Sequence, residues 1–225
     1  MPKNTFSQLP QEKKERLLRA AAVLFADKGF HQTDVAEIAS RAAVAKGSIY
    51  NYFDSKHELY FHVCRDGLER SRQVVYGGLG RDWPVFRQIE HIFRHGVEFS
   101  LCYPEYVKMY LNISSTGMEQ FAEDMTLEVE KHTSDYLKSL LQRGQGGGEV
   151  RRDLDIKMGA FLINSLYVIF MASLVSRHYQ IRLMEYLELP GDLDEPTVQE
   201  LLGMVIDLIK HVLEPPQTAG GADLN

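Results

Sequence analysis

Placed every 100° around a helix, Lys46, Gly47, Tyr50 and Asn51 fall within about 140° of one another, opposite the apolar Ile49 and Phe53. A face with one cation, two amphipathic hydrogen-bonding groups and a glycine suits a polyanion. Ammonium and hydroxyl groups donate to phosphate oxygens, and lysine with guanine or asparagine with adenine are favoured pairings at base edges. Other arrangements are weaker. His91 and His95 stand one helical turn apart with Glu98 following, which is metal-capable spacing. The apolar stripe of that segment is Phe86, Ile89, Ile92, Phe93 and Gly96, so the three fall on the opposite, wet face and no metal is expected. Cys64 and Cys102 follow neither metal nor disulfide-framework spacing, which points to a reducing, cytoplasmic setting. No HExxH, no G-x-S-x-G, no phosphate-cradling glycine loop and no Cys-His pairing occurs, so the reading is a non-enzyme without a cofactor.

The polar face needs elements to hold it. Residues 1–11 are polar, carry Pro2 and Pro10, and read as a loose arm. Leu17, Leu18, Ala21, Leu24 and Phe25 then form one apolar helical stripe, which Gly29 and Phe30 end with a left-handed stop. Thr33 is placed to cap a second, short helix whose inner face is Val35, Ala36, Ile38, Ala39 and Ala42. A tight break near Ala43 leads into a third short helix anchored by Val44, Ile49 and Phe53. Ser55 and Glu58 make an S-x-x-E capping box that opens a fourth helix running to Gly77-Gly78. Two short helices joined by a four-residue turn are the layout that sets a recognition helix in the major groove.

Beyond Trp83 the pattern stays helical, with breaks at Pro104, Ser114 to Gly117, Gly144 to Gly148 and Pro190 to Pro196, and no segment alternates with period two. Residues 144–148 read as a flexible loop and 215–225 as a frayed tail. The chain has 225 residues, 44% hydrophobic and 25% charged, with a formal charge of −6. That sum hides an asymmetry: residues 1–56 hold nine basic and six acidic side chains, leaving −9 for the rest. A basic front on an acidic body keeps nucleic acid in play.

The stretch from Thr33 to Leu59, TDVAEIASRAAVAKGSIYNYFDSKHEL, resembles the DNA-binding signature of the TetR family of repressors, most closely in KGSIYNYFDSK. With the first helix included, the resemblance covers about 45 residues. It implies an all-α chain: an N-terminal three-helix DNA-binding domain with a helix-turn-helix, residues 1–56, fused to a larger helical ligand-binding and dimerisation domain, residues 57–225. It further implies that Thr33, Tyr50, Tyr52 and Lys56 hold the phosphate backbone, while Lys46, Gly47, Ser48 and Asn51 face base edges. Read from the residues alone, Tyr52 also suits a place in the small core and Asn51 a solvated one. Two positions depart from the family: Ala43 stands where glycine is usual in the turn, and Ala45 where a capping Ser or Thr is frequent. An alanine held left-handed costs on the order of 1 kcal/mol.

The resemblance also implies partners: a double-stranded, palindromic DNA operator, a second copy of the chain in a homodimer, and a small-molecule inducer. Phe99, Tyr103, Tyr106, Met109, Tyr110, Tyr136, Asn164, Tyr167 and Met171 supply aromatic and thioether surface with few polar heads, which favours a hydrophobic ligand. The uncharged run Met158 to Ser176 approaches membrane-spanning length. A helix buried partly by a partner subunit explains it as well, and with Val198, Leu201, Leu202, Val205, Leu208, Ile209 and Val212 it forms the expected dimer helices. No membrane association is expected. An adaptor of the same fold, docking a protein partner through a filled core, is the alternative.

Overall fold

A computed structural model describes residues 2–113, 117–189 and 191–216. Among these there are eleven α-helices and no strand: α1 (Asn4–Ser7), α2 (Gln11–Gln32), α3 (Val35–Arg41), α4 (Lys46–Tyr52), α5 (Lys56–Val75), α6 (Val85–Cys102), α7 (Pro104–Asn112), α8 (Glu119–Gly147), α9 (Ile156–Val175), α10 (Arg177–Leu187) and α11 (Glu195–Leu213). The breaks expected at 114–117 and 190–196 and the tail at 215–225 lie partly outside the described residues. The break at Pro104 is present, with proline at the first position of α7, where its missing N–H costs nothing.

Local signals explain most of the N-terminal elements. Gly29 takes φ 72° and interrupts α2. Ser55 caps α5, its side chain accepting from the Glu58 N–H at 3.1 Å. The Glu58 carboxylate reaches back one residue further than a capping box requires, accepting from the Asp54 N–H at 2.7 Å. Asp34, not Thr33, caps α3, accepting from the Ala36 N–H at 2.8 Å. Thr33 is 2% exposed, and its hydroxyl donates to the carbonyls of Leu24 and Gly29.

Between α3 and α4, Ala43 takes φ 54°. The carbonyl of Ala39 accepts from the Val44 N–H at 2.9 Å, and that of Ala42 from Arg16 Nε at 2.8 Å, so α2 holds the turn in place. Ala43→Gly is expected to raise stability by roughly 0.5–1 kcal/mol, because a left-handed residue with a Cβ is strained. In a chain of this size that amounts to about 1–4 °C in Tm. An unchanged or lower midpoint by calorimetry would count against strain at this turn.

Two further expectations fail. The N-terminal arm is docked: it forms α1, and Phe6 is buried at 4% exposure. The Gly-rich stretch is the end of α8, which closes on a left-handed Gly148. A Cβ at Gly144 would lie 2.6 Å from Val150 and 2.7 Å from Val85, so close packing overrides helix propensity there.

Apolar packing forms two clusters. The first joins α1 to α5 with parts of the body, including Ile92, Phe99, Tyr106, Met109 and Phe121. The second gathers α6, α8, α9 and α11 around Phe93, Leu140, Phe170 and Leu202. Most of the α11 stripe faces this core: Val198, Leu201, Leu202 and Ile209 are buried, while Met204 and Leu208 face outward. His91 points toward the Gly77 carbonyl at 3.0 Å, and its ring lies against that of His95.

Candidate nucleic-acid interface and the chamber behind it

α4 is pinned from below and bare above. Ile49 and Phe53 are buried at 2% and 0% exposure. Lys46, Gly47, Tyr50 and Asn51 are exposed, and Ser48 is half-buried. A Cβ at Gly47 would meet nothing within 4 Å. The fold therefore does not require a glycine there, although glycine costs a helix about 1 kcal/mol relative to alanine. A smooth helix surface where another molecule's backbone approaches is the physical use for it.

The remaining named residues are less free. Tyr52 is buried against Phe6. Lys56 is half-buried, its ammonium donating to the carbonyls of His31 at 3.2 Å and Thr33 at 3.1 Å, 4.6 Å above the Phe30 ring. The Thr33 hydroxyl, turned into α2, does not reach solvent. α4 has no side-chain cap at Ala45.

Behind this surface lies a chamber of about 180 Å³, partly open to solvent and walled by α5 to α9. Phe99, Tyr106, Met109, Tyr110, Asn164, Tyr167 and Met171 line it. Two residues singled out from sequence do not. The Tyr136 hydroxyl donates to Gln88 Oε1 at 2.7 Å, and its ring packs edge-on to Tyr76. Tyr103 packs between Phe99 and Tyr106 beneath Arg70. Burial raises the Tyr136 phenol to about 12.

Sequence reasoning missed the polar wall. Arg72, Glu130, His132 and Thr133 border the chamber. Glu130 Oε1 accepts from the Tyr110 hydroxyl at 2.7 Å and Oε2 from Asn164 Nδ2 at 2.8 Å, tying α7, α8 and α9 together. Burial, then the bond to Glu130, raises the Tyr110 phenol, so it stays a donor at neutral pH. Cys64 lies on the same wall, its thiol pushed by burial up to about 12, out of the range of a reactive thiolate.

One chamber residue leads toward α2, in the DNA-binding unit. The Tyr106 hydroxyl donates to Asp66 Oδ2. Asp66 accepts from Arg70 Nε at 2.7 Å, and Arg70 also donates to Glu15 on α2 at 2.7 Å. Burial opposes the charge on Arg70, but the bonds to Glu15 and Asp66 outweigh it and raise its pKa. The chain of contacts depends on Gly67: a Cβ there would lie 2.3 Å from the Tyr106 ring.

The model of the bacterial regulatory proteins, tetR family, matches residues 17–63, from α2 through the first turns of α5. The HTH-type transcriptional repressor KstR2 of Mycolicibacterium smegmatis is 31% identical over 169 residues, 70% of this chain and 77% of that protein. A TetR family transcriptional regulator from Chloroflexus aurantiacus superposes with a TM-score of 0.71 at 24% identity, over 95% of this chain and 98% of the other. The regulator FadR of Bacillus subtilis, solved with stearoyl-CoA, gives 0.69 at 17% identity over 88% and 98%. With its helix-turn-helix, its exposed α4 and these relatives, the chain belongs to the tetR family of bacterial regulatory proteins and is a DNA-binding transcription regulator.

Proposed function

We propose that this regulator represses transcription from a palindromic operator as a homodimer, and that a mainly apolar small molecule in the chamber releases it. Residues 1–56 would read DNA, and residues 57–225 would hold the ligand and pair the subunits. The observation that carries the reading is Tyr106, which lines the chamber and through Asp66 and Arg70 reaches Glu15 on α2. A ligand that moves this ring acts on the DNA-binding unit.

Lys46, Gly47 and Asn51, with Ser48 beside them, are proposed to face base edges, and Tyr50 and Lys56 to hold phosphates. Tyr52 and Thr33 support the surface from beneath, and Thr33 has only its backbone to offer a phosphate. The proposed dimer face is the exposed apolar side of α9 and α11: Met158, Phe161, Leu162, Ile169, Met204 and Leu208. On a twofold dimer the half-sites lie about 34–36 Å apart or at a multiple of that spacing.

The ligand class follows from the lining. Aliphatic, aromatic and thioether side chains make most of the wall, with Arg72, His132 and Glu130 as polar points. A long acyl or ring system bearing one polar group suits this mix. The stearoyl-CoA bound to the similar FadR and the name ketosteroid transcriptional regulator borne by KstR2 of Mycobacterium tuberculosis agree with that class. The open chamber disfavours an adaptor with a filled core.

The test selects genomic fragments with the parent protein, then compares Lys46→Ala, Gly47→Ala and the pair Tyr50→Phe with Lys56→Ala. Lys46→Ala should cost about 1–3 kcal/mol and relax sequence choice, and the pair should weaken all sequences evenly. Gly47→Ala should gain up to about 1 kcal/mol of stability and still bind the operator worse. Stearoyl-CoA, with free CoA as control, should release the fragment. Sequence-blind binding unchanged in all variants would remove the reading, and ligand-indifferent binding would remove its inducer half.

A further inference from the structure

A seven-residue helix cannot satisfy its own last carbonyls, and two turns are too short to be stable alone. In α4 those carbonyls are taken up by Lys3, just before α1, and by Thr5 within it. Tyr50 O accepts from Lys3 Nζ at 2.9 Å, Asn51 O from the Thr5 hydroxyl, and Tyr52 O from the Lys3 N–H at 2.9 Å. The Lys3 ammonium also pairs with Asp54 at 2.7 Å, which puts positive charge at the negative end of the helix. Phe6 fills the space beneath, with the rings of Phe53 and His62 each 5.0 Å away. Lys14 Nζ donates to Ser7 O at 2.7 Å and ties the arm back to α2. The opposite end of α4 has no side-chain cap, so its order depends on this clamp and on the buried Ile49 and Phe53.

We propose that Lys3, Thr5 and Phe6 are positioning residues for DNA recognition. They hold α4 from its C-terminal end, so that Lys46, Gly47, Tyr50 and Asn51 meet the operator already ordered, while the arm itself stays off the DNA. Without the clamp the binding-competent form of α4 becomes a fraction of the population, and apparent affinity falls by that fraction.

The experiment measures Phe6→Ala, Lys3→Met and Thr5→Val on the fragment selected by the parent, across a salt series, beside a scrambled fragment. Amide hydrogen exchange is followed in α4, α6 and α9. Thr5 is exposed, and its change removes one donor only, so it remains informative if Phe6→Ala folds poorly. The expected result for Phe6→Ala is a specific affinity about tenfold lower, with scrambled-fragment binding and salt slope retained and faster exchange confined to α4. Thr5→Val and Lys3→Met should move the same way by less. Loss of both specific and scrambled binding, with exchange raised throughout, would mean a general loss of fold and overturn the assignment. So would parent-like affinity and exchange in all three variants. A salt slope reduced by about one in Lys3→Met with α4 protection intact would make Lys3 a phosphate contact instead. If the parent itself selects no fragment, the DNA-binding reading fails rather than the clamp.

Discussion

Tyr106→Phe protein is expected to stay on its operator at ligand concentrations that strip the parent from DNA, while still binding the ligand. The substitution keeps the ring in the chamber wall and deletes only the hydroxyl that donates to Asp66. Asp66 remains paired with Arg70, at 18% and 20% side-chain exposure, so the stability cost is that of one hydrogen bond, about 1 kcal/mol. Ligand and operator are coupled by a free energy of typically 1–3 kcal/mol, or about 5–150-fold in affinity. Cutting the path to Glu15 should bring that factor close to one. Asp66→Ala makes the harsher version: it strands Arg70 with Glu15 alone, costs about 2–3 kcal/mol, and should uncouple equally well. The measurement is operator affinity with and without stearoyl-CoA, beside direct binding of stearoyl-CoA to each variant. Full coupling in Tyr106→Phe would show that the signal takes another route, with Phe121 the next wall to test.

Phe121→Ala should be the most destabilising single change in the first core, by about 3–5 kcal/mol. The ring has no exposure and lies 4.7 Å from Phe30, 4.5 Å from His57, 4.6 Å from Tyr60 and 5.2 Å from Phe61, centroid to centroid. It comes from α8 but fills a gap between α2 and α5, where His31 Nε2 also meets the Gly117 carbonyl at 2.8 Å. The DNA-binding helices and the body therefore share side chains in one cluster, and their unfolding should be a single event. In urea one transition is expected, shifted down by about 1–3 M, the same by fluorescence and circular dichroism. A variant whose DNA-binding helices melt first, with the body left intact, would show that the cluster does not bind the two together.

The helix-turn-helix was legible because its determinants are local. Gly29, the Ser55–Glu58 pair and the anchors Ile49 and Phe53 each act within a few residues of themselves, and the strained backbone at Ala43 follows from the tightness of the turn. Elements made by distant contacts were not legible. α1 exists because Phe6 finds Phe53 and His62 some fifty residues on, and no propensity in NTFS announces it. The end of α8 is helical because Gly144 lets Val85 and Val150 approach. In the chamber the aromatic residues were a fair guide, but Arg72, Glu130, His132 and Thr133 have the spacing of a solvated face. Glu130 among them is held on the chamber side by Tyr110 of α7 and Asn164 of α9. Tyr103 and Tyr136 mislead for the opposite reason, since an aromatic ring fits a core as well as a cavity.

The uncovered side of α9, as the proposed pairing face, bears on how this regulator would behave at low copy number. Phe161 is 69% exposed, with Met158 beside it. Each square ångström of such surface kept in water forgoes about 25 cal/mol. If this face pairs two chains, a solitary protomer is the weakest species in the system, and folding and pairing become one mass-action equilibrium. The folded fraction then depends on how many chains a cell holds. The first molecules synthesised after dilution by growth would then be the most exposed to proteolysis, which would set a lower limit on how few copies can hold an operator.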